Sequence, residues 1–479
     1  MNSISNWILA GLVLFVPASR AATHPGNELR PTPEFTNGTT LTAANGTIAV
    51  WPGFPASVLM VNNSLPAPTI RVRRGDTFSA SVSNKLNEPL VLHWHGILAP
   101  SAMDGLPQSA VPPGQGYRVS FPILNRAGTY FYHAHTDGLT AKQVYRGLAG
   151  LFIVEDPEEG ALGLPRGSHD IPMLIADKRL NPRRELTYNP NMMDMMMGFL
   201  GDAALVNGTP DVWMSVDRSS YRLRWVNGSN ARILKLGFDD GRSFQVIGTD
   251  GGLLAAPVAV TYLTLAPGER ADVVVDFTRD AVGTGLTLRS VPFEPGGMRM
   301  GGGMGMMGMG MGPSQGSSLD VMRFYVDKPN TVPGKVPRKL SSILAYNESK
   351  AARTRTFDIT MERMAHFING AQFKMEVTNF TVPWNQLERW EFKNRSMLPH
   401  PMHPHGTLFQ VLSRSTGMLT PTDGGWKDTV LVNPNETVAV LVRFDAHAGR
   451  FIKHCHNLEH EDAGMMLNFN VEPPAALRR

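Results

Sequence analysis

His454-Cys455-His456-Asn457-Leu458-Glu459-His460, running on to Gly464-Met465-Met466, reads as the end of a β-strand followed by a tight return. In a strand, side chains two apart share a face and the residue between them takes the other. His454 and His456 then point one way and Cys455 the opposite way. Three further segments carry the same histidine spacing: His93-Trp94-His95-Gly96, His133-Ala134-His135 and His403-Pro404-His405-Gly406, the last preceded by His400-Pro401-Met402. The chain has 14 histidines and one cysteine, and ten of those histidines with the lone thiol fall in these four places. Chance clustering is a poor explanation.

The rest of the chain agrees with a strand-built scaffold. At 479 residues it is too long for one core, and roughly 150 residues per domain gives about three. Glycine (47) and proline (36) are plentiful and charged residues sparse, which suits short strands joined by turns. Strand-like runs separated by Gly, Pro and Asn fill residues 31–156, 157–328 and 354–479, and a proline-rich linker occupies 329–353. The expected fold is all-β: three consecutive Greek-key β-sandwich domains. The middle domain holds only His169, so the first and third are expected to meet at the site, with the middle one a spacer.

Residues 7–16 form an apolar run followed by Ala18-Ser19-Arg20-Ala21, an export signal over 1–21 with the cut after Ala21. About ten apolar residues are too few for a membrane anchor, which needs roughly 20. A periplasmic monomer with no membrane span after cleavage is expected. One cysteine cannot form an internal disulfide, which leaves it free for a metal. The net charge of +4, without a basic run, argues against nucleic acid as a partner.

Four His-x-His pairs offer eight imidazoles, with each pair roughly 7 Å apart along its strand. Imidazole suits copper, and eight nitrogens match three ions that keep open positions for an oxygen species. His400, Cys455, His460 and Met465 supply the two-imidazole, one-thiolate, distant-thioether set of a blue electron-transfer copper. Met466 is the neighbouring candidate, but alternation lets only one of the two face the metal. An electron leaving through the Cys455 sulfur crosses a single peptide unit to His454 or His456. Zinc sites usually take four ligands in all and have no use for a thiol bracketed by histidines.

In these four signatures the chain resembles the three-domain multicopper oxidases, the group that includes laccases and bacterial periplasmic cuprous oxidases. Leu151-Phe152-Ile153-Val154-Glu155-Asp156 and Gly425-Trp426-Lys427-Asp428-Thr429-Val430 are also similar to stretches of the bacterial members. The resemblance implies cupredoxin-like domains, four copper ions, and reduction of dioxygen to water coupled to four one-electron oxidations. It implies that His93 and His403 hold the cluster copper with fewest protein ligands. His95, His133 and His456 would hold one of the coupled pair, and His135, His405 and His454 the other. Asp104 and Glu461 are implied as proton carriers beside the cluster; their alternatives are a turn former and a solvated strand residue.

Two methionine-rich pieces suggest the substrate. Met192-Met193-Asp194-Met195-Met196-Met197 and the segment holding Met298, Met300, Met304, Met306, Met307, Met309 and Met311 contain 12 of the 26 methionines. Thioether favours Cu(I), so capture and oxidation of cuprous ion is expected, in the manner of copper detoxification. The alternative is an apolar patch and a low-complexity insert. The chain departs from the cuprous oxidases in placing its larger insert in the second domain, and in carrying Ser396 where they carry an aspartate; Met361, Met364 and Met397 are the substitute candidates. The rival readings are a laccase-like oxidase of phenols or aromatic amines and a copper-sequestering protein. A copper-free cupredoxin-like scaffold would require the ligands to be missing, and all are present.

Overall fold

The computed structural model describes residues 24–51, 54–181, 183, 185–294, 313–331 and 334–473. The leader expected over 1–21 and the methionines from Met298 to Met311 lie outside them.

Among the described residues the strands form six sheets, two in each third of the chain. In the first third, strands Glu34–Phe35, Ala67–Arg73, Ala149–Glu155, Gly128–Ala134 and Leu92–His93 lie side by side in that order. They face a four-stranded sheet of Phe54–Val61, Thr40–Trp51, Thr77–Lys85 and Gly116–Pro122. Thr77–Lys85 alternates buried and outward residues because one face meets water, whereas Gly128–Ala134 is buried throughout because both faces are covered. Within the four-stranded sheet Thr40–Trp51 pairs parallel with Thr77–Lys85, while the outer strands Phe54–Val61 and Gly116–Pro122 join antiparallel. Phe78 sits between the sheets, edge-on to Trp94, Phe121 and Phe152.

The last third repeats the plan around Trp390, which packs on Phe357, Phe444 and Phe469. One of its sheets runs Thr378–Pro383, Met466–Glu472, Gly449–Cys455, His400–Pro404, Val430–Val432. The middle third has a six- and a seven-stranded sheet with a core that includes Trp225, Phe244 and Phe324. Three consecutive Greek-key β-sandwiches result, as the strand pattern predicts. Among the described residues four short α-helices punctuate them: α1 (Thr140–Tyr145), α2 (Pro157–Gly160), α3 (Met192–Met197) and α4 (Leu458–Asp462). Among the described residues no helix is long and apolar enough to cross a membrane.

Two segments attach where sequence patterning is silent. Asn27–Glu28 adds a strand to the middle sandwich by pairing with Val212 and Trp213. Beyond the linker prolines, Leu340 donates its N–H to the Ala255 carbonyl, and the Ser341 hydroxyl reaches Leu253 and Leu254. That part of the linker lies on the middle domain.

Candidate metal centre

Each histidine pair sits where a strand ends. His93 and His133 are registered partners across one sheet of the first domain, and His403 and His454 across one sheet of the third. His95, His135, His405 and His456 each lie just past a strand, where the backbone curls. The rings of a pair therefore stand closer than a flat strand would hold them, at 5.7, 5.8, 4.9 and 5.7 Å between centroids in chain order. The two domains also interleave their rings. His93 stacks on His405 at 3.7 Å and His95 on His403 at 3.8 Å. Triads with nitrogens converged for metal binding include His93/His95/His133, His93/His403/His405 and His135/His405/His454. All eight residues are buried.

The outward nitrogens are already engaged. His93 Nδ1 lies 2.7 Å from the Asp104 carbonyl, His403 Nδ1 2.8 Å from the Asp428 carbonyl, and His133 Nδ1 2.9 Å from the Ala134 carbonyl. A carbonyl only accepts, so each of these nitrogens carries the proton and Nε2 presents a lone pair inward. Those three Nε2 atoms, with His95 Nδ1, His135 Nδ1 and both nitrogens of His456, are buried without a hydrogen-bond partner. Burial first, and neighbouring rings second, hold His93, His95, His403, His405 and His456 well below the usual imidazole range; His133 is pushed down to about 3 and His135, chiefly by burial, to about 4. Neutral rings with orphaned lone pairs are what a metal cluster needs.

On the other face of Cys455 a second set converges. Its sulfur lies 3.4 Å from His400 Nδ1 and 3.7 Å from His460 Nδ1, and those two nitrogens are 3.3 Å apart. Met465 shares the Cys455 core cluster, whereas Met466 packs with Leu106 and Ile452, so adjacent methionines do part company. The Met465 backbone clamps the site, its N–H on the His460 carbonyl and its carbonyl taking the Cys455 N–H. Burial raises the Cys455 thiol, and metal binding must release that proton.

Asp104 and Glu461 each lie against a histidine of the clustered set. Asp104 Oδ2 is 2.7 Å from His405 Nδ1, and Glu461 Oε2 is 2.9 Å from His454 Nδ1. Burial raises Asp104 well above the ordinary carboxylate range. Burial also opposes ionisation of Glu461, but His454 and His135 outweigh it and hold that carboxyl low.

Comparison with known proteins fits this geometry. Family models described as multicopper oxidase match residues 42–159, 181–284 and 345–475. The multicopper oxidase mco of Staphylococcus haemolyticus is 31% identical over 90% of this chain and 88% of its own. The cell division protein FtsP of Proteus mirabilis is 32% identical over 86% of this chain and 85% of its own. The crystal structure of the McoA multicopper oxidase from Aquifex aeolicus superposes with a TM-score of 0.85 at 37% identity, covering 94% of this chain and 100% of that one.

The chain belongs to the multicopper oxidases.

Its three sandwiches are accordingly cupredoxin-like, and its cofactors are four copper ions, one blue and three clustered. The orphaned imidazole nitrogens and the soft sulfur match that donor set.

This multicopper oxidase differs from the sequence expectation in its middle domain, which is more than a spacer. Arg270 grips Asp428 through both oxygens at 2.6 and 2.5 Å, while Asp428 Oδ1 lies 3.0 Å from His95 Nε2. Lys427 reaches Asp250 at 3.0 Å and Glu269 at 3.1 Å. Gly268 passes so close to the His456 ring that an added Cβ would lie 3.0 Å from it. Above the blue site, the Met196 carbonyl of α3 lies 2.9 Å from His460 Nε2 and 3.1 Å from His366 Nε2. His366 stacks on His460 at 3.8 Å. Ser396 Oγ lies 2.9 Å from His400 Nε2.

Sequence reasoning assigned nothing to His366, Asp428 or Arg270. His366 follows Met361 and Met364 by a few residues and lies outside the four histidine motifs; Asp428 lies between Lys427 and Thr429 with no spacing that ties it to a histidine. Arg270 carries no local signal.

Proposed function

We propose that this multicopper oxidase takes electrons from Cu(I) at the blue site formed by His400, Cys455, His460 and Met465. His93, His95, His133, His135, His403, His405, His454 and His456 hold the cluster where dioxygen becomes water, in the three groups set out above. Four Cu(I) ions give four electrons, and one O2 with four protons yields two waters. The coppers supply the one-electron acceptors and the site of oxygen reduction. Asp104 and Glu461 bring protons, their carboxyls being held on opposite sides of the ordinary range beside His405 and His454.

The observation that carries the substrate is the roof of the blue site. Both of its imidazoles are buried, and the outward nitrogen of His460 is covered by the backbone of a helix made of methionines. Met192 and Met193 on α3 are exposed, as are Met364 on the hairpin that carries His366 and Met397 beside Ser396. Met361 pairs across that hairpin with His366. Soft sulfurs around a closed blue site suit a cuprous ion better than a flat aromatic ring, which would need a ring edge exposed. An export signal over residues 1–21 would carry this reaction into the periplasm.

Oxygen uptake by copper-loaded enzyme, with Cu(I) and with a phenol as alternative donors, tests the reading. Faster turnover on Cu(I), abolished in Cys455→Ser together with the intense blue absorbance, is expected. Faster turnover on the phenol would transfer the enzyme to the laccase-like class. Multiple bound Cu(I) ions with negligible oxygen uptake would make it a sequestering protein.

A further inference from the structure

Glu459 stands directly before His460 in α4 and is completely buried. Its carboxylate is taken up by the middle domain. Oε1 accepts from the Tyr188 hydroxyl at 3.2 Å and from the Asn230 amide at 2.8 Å, and Oε2 accepts from the Phe199 N–H at 3.0 Å. Three donors from separate stretches of that domain thus converge on one side chain. Burying a carboxylate is costly, and an apolar residue would avoid that cost. The value of Glu459 lies in where it holds these donors.

Phe199 follows Gly198, the residue that ends α3, so the bond to Glu459 fixes the exit of the roof helix. The same helix places the Met196 carbonyl 2.9 Å from His460 Nε2. Asn457, the cap of α4, closes the seam by donating its amide to the Met197 carbonyl at 3.4 Å. Asn457, Glu459 and His460 therefore hold Met197, Phe199 and Met196 at the end of α3. A carbonyl only accepts, so His460 Nε2 carries the proton and Nδ1 turns its lone pair toward Cys455 and His400. The outer hydrogen bond of a ligating imidazole fixes the ring and raises its basicity, which favours Cu(II) over Cu(I). The spacing of roof and ring therefore bears on the reduction potential.

We propose that Glu459 is a positioning residue for the blue copper, through which the middle domain sets the hydrogen bond on His460 and with it the ease of electron entry. The role rests on His460 being a ligand of that copper, and it is independent of which donor supplies the electrons.

Copper-loaded Glu459→Gln is the first test. An amide presents N–H at one end, so it cannot accept from all three donors, and the seam between α4 and Phe199 loosens. With copper content unchanged, the blue absorption maximum and the copper hyperfine splitting in electron paramagnetic resonance should shift, and the reduction potential should rise. Tyr188→Phe removes one donor alone and should move the same quantities by less; it carries the test should Glu459→Gln not fold. Asp462→Asn is the comparison, because this carboxylate of α4 accepts instead from the Thr140 and Ala141 N–H groups of the first domain, at 3.0 and 2.9 Å. It should lower Tm and leave the blue maximum and potential parental. A maximum and potential unmoved in both Glu459→Gln and Tyr188→Phe, a potential that falls, or an equal shift in Asp462→Asn would overturn the proposal. A blue band that survives His460→Ala would refute the ligand assignment beneath it instead.

Discussion

At the scale of single residues, the clustered histidines are governed by what holds their far nitrogens. Asp428 serves two rings, with its side chain at His95 Nε2 and its carbonyl at His403 Nδ1. Asp428→Asn keeps the shape but loses the charge that Arg270 grips, and its amide no longer assures an acceptor for His95. Copper affinity or turnover should fall by roughly 10–100-fold, read as copper per chain after dialysis and as an altered resonance of the cluster. His366→Phe makes the opposite kind of change. It preserves a ring against His460 but removes the N–H that shares the Met196 carbonyl. The blue copper should stay bound while its absorption maximum and reduction potential shift; parental values for both would leave His366 a packing residue. Much of this scale is legible in the sequence, because a ligand's type and spacing are local properties. The partners of the far nitrogens are not, since Asp428 is separated from His95 by most of the chain.

At the scale of elements, α3 is the part most sensitive to its supports. Six residues are too few for a helix to persist alone. Asn191 and Asp194 cap one another reciprocally, and Arg179 holds both oxygens of Asp194 at 3.1 and 2.8 Å. Asp194→Ala removes the N3 half of the capping box and the arginine clamp, costing about 1 kcal/mol locally. A loosened roof should lower kcat/KM for Cu(I) and raise it for a phenol, so the ratio of the two is the measurement. An unchanged ratio would detach α3 from substrate choice. Gly198 ends the helix at φ 100°, and a Cβ there would lie 2.2 Å from that of Ala231. Gly198→Ala should therefore destabilise the same junction, seen as a lower Tm and a disturbed blue band. The methionine run reads equally as an apolar patch in the sequence; its place over His460 comes from a contact with α4.

Across the whole molecule, charge buried between domains ties the sandwiches together. Asp272 of the middle domain accepts from Thr129 of the first at 2.6 Å and pairs with Arg222 and Arg224. Burial alone would raise its carboxyl, but the two arginines outweigh it and hold it below the ordinary range. A carboxyl depressed in the folded state adds stability above its unfolded value of roughly 3.9, and that contribution is lost as pH falls through the folded value. Thermal stability of the parent should fall as pH drops below about 4, read as a lower Tm. Asp272→Asn, which leaves two buried arginines short of a partner, should cost about 3–5 kcal/mol near neutrality and show a smaller loss on acidification. Equal Tm profiles for the two proteins would remove this pair from the junction. Stripping copper should lower Tm as well, since ligand sets drawn from the first and third domains then lose the ions that join them.

The sequence by itself determined the strand scaffold and the alternation that sends His454 and His456 to one side of the strand and Cys455 to the other. Those follow from alternation along a strand and from residue chemistry, which neighbours in sequence are enough to express. Only the tertiary structure decided the stacking of His93 on His405 and of His95 on His403, the grip of Arg270 on Asp428 and the shared carbonyl of Met196. Each joins groups more than a hundred residues apart, and nothing but packing between domains brings them within reach.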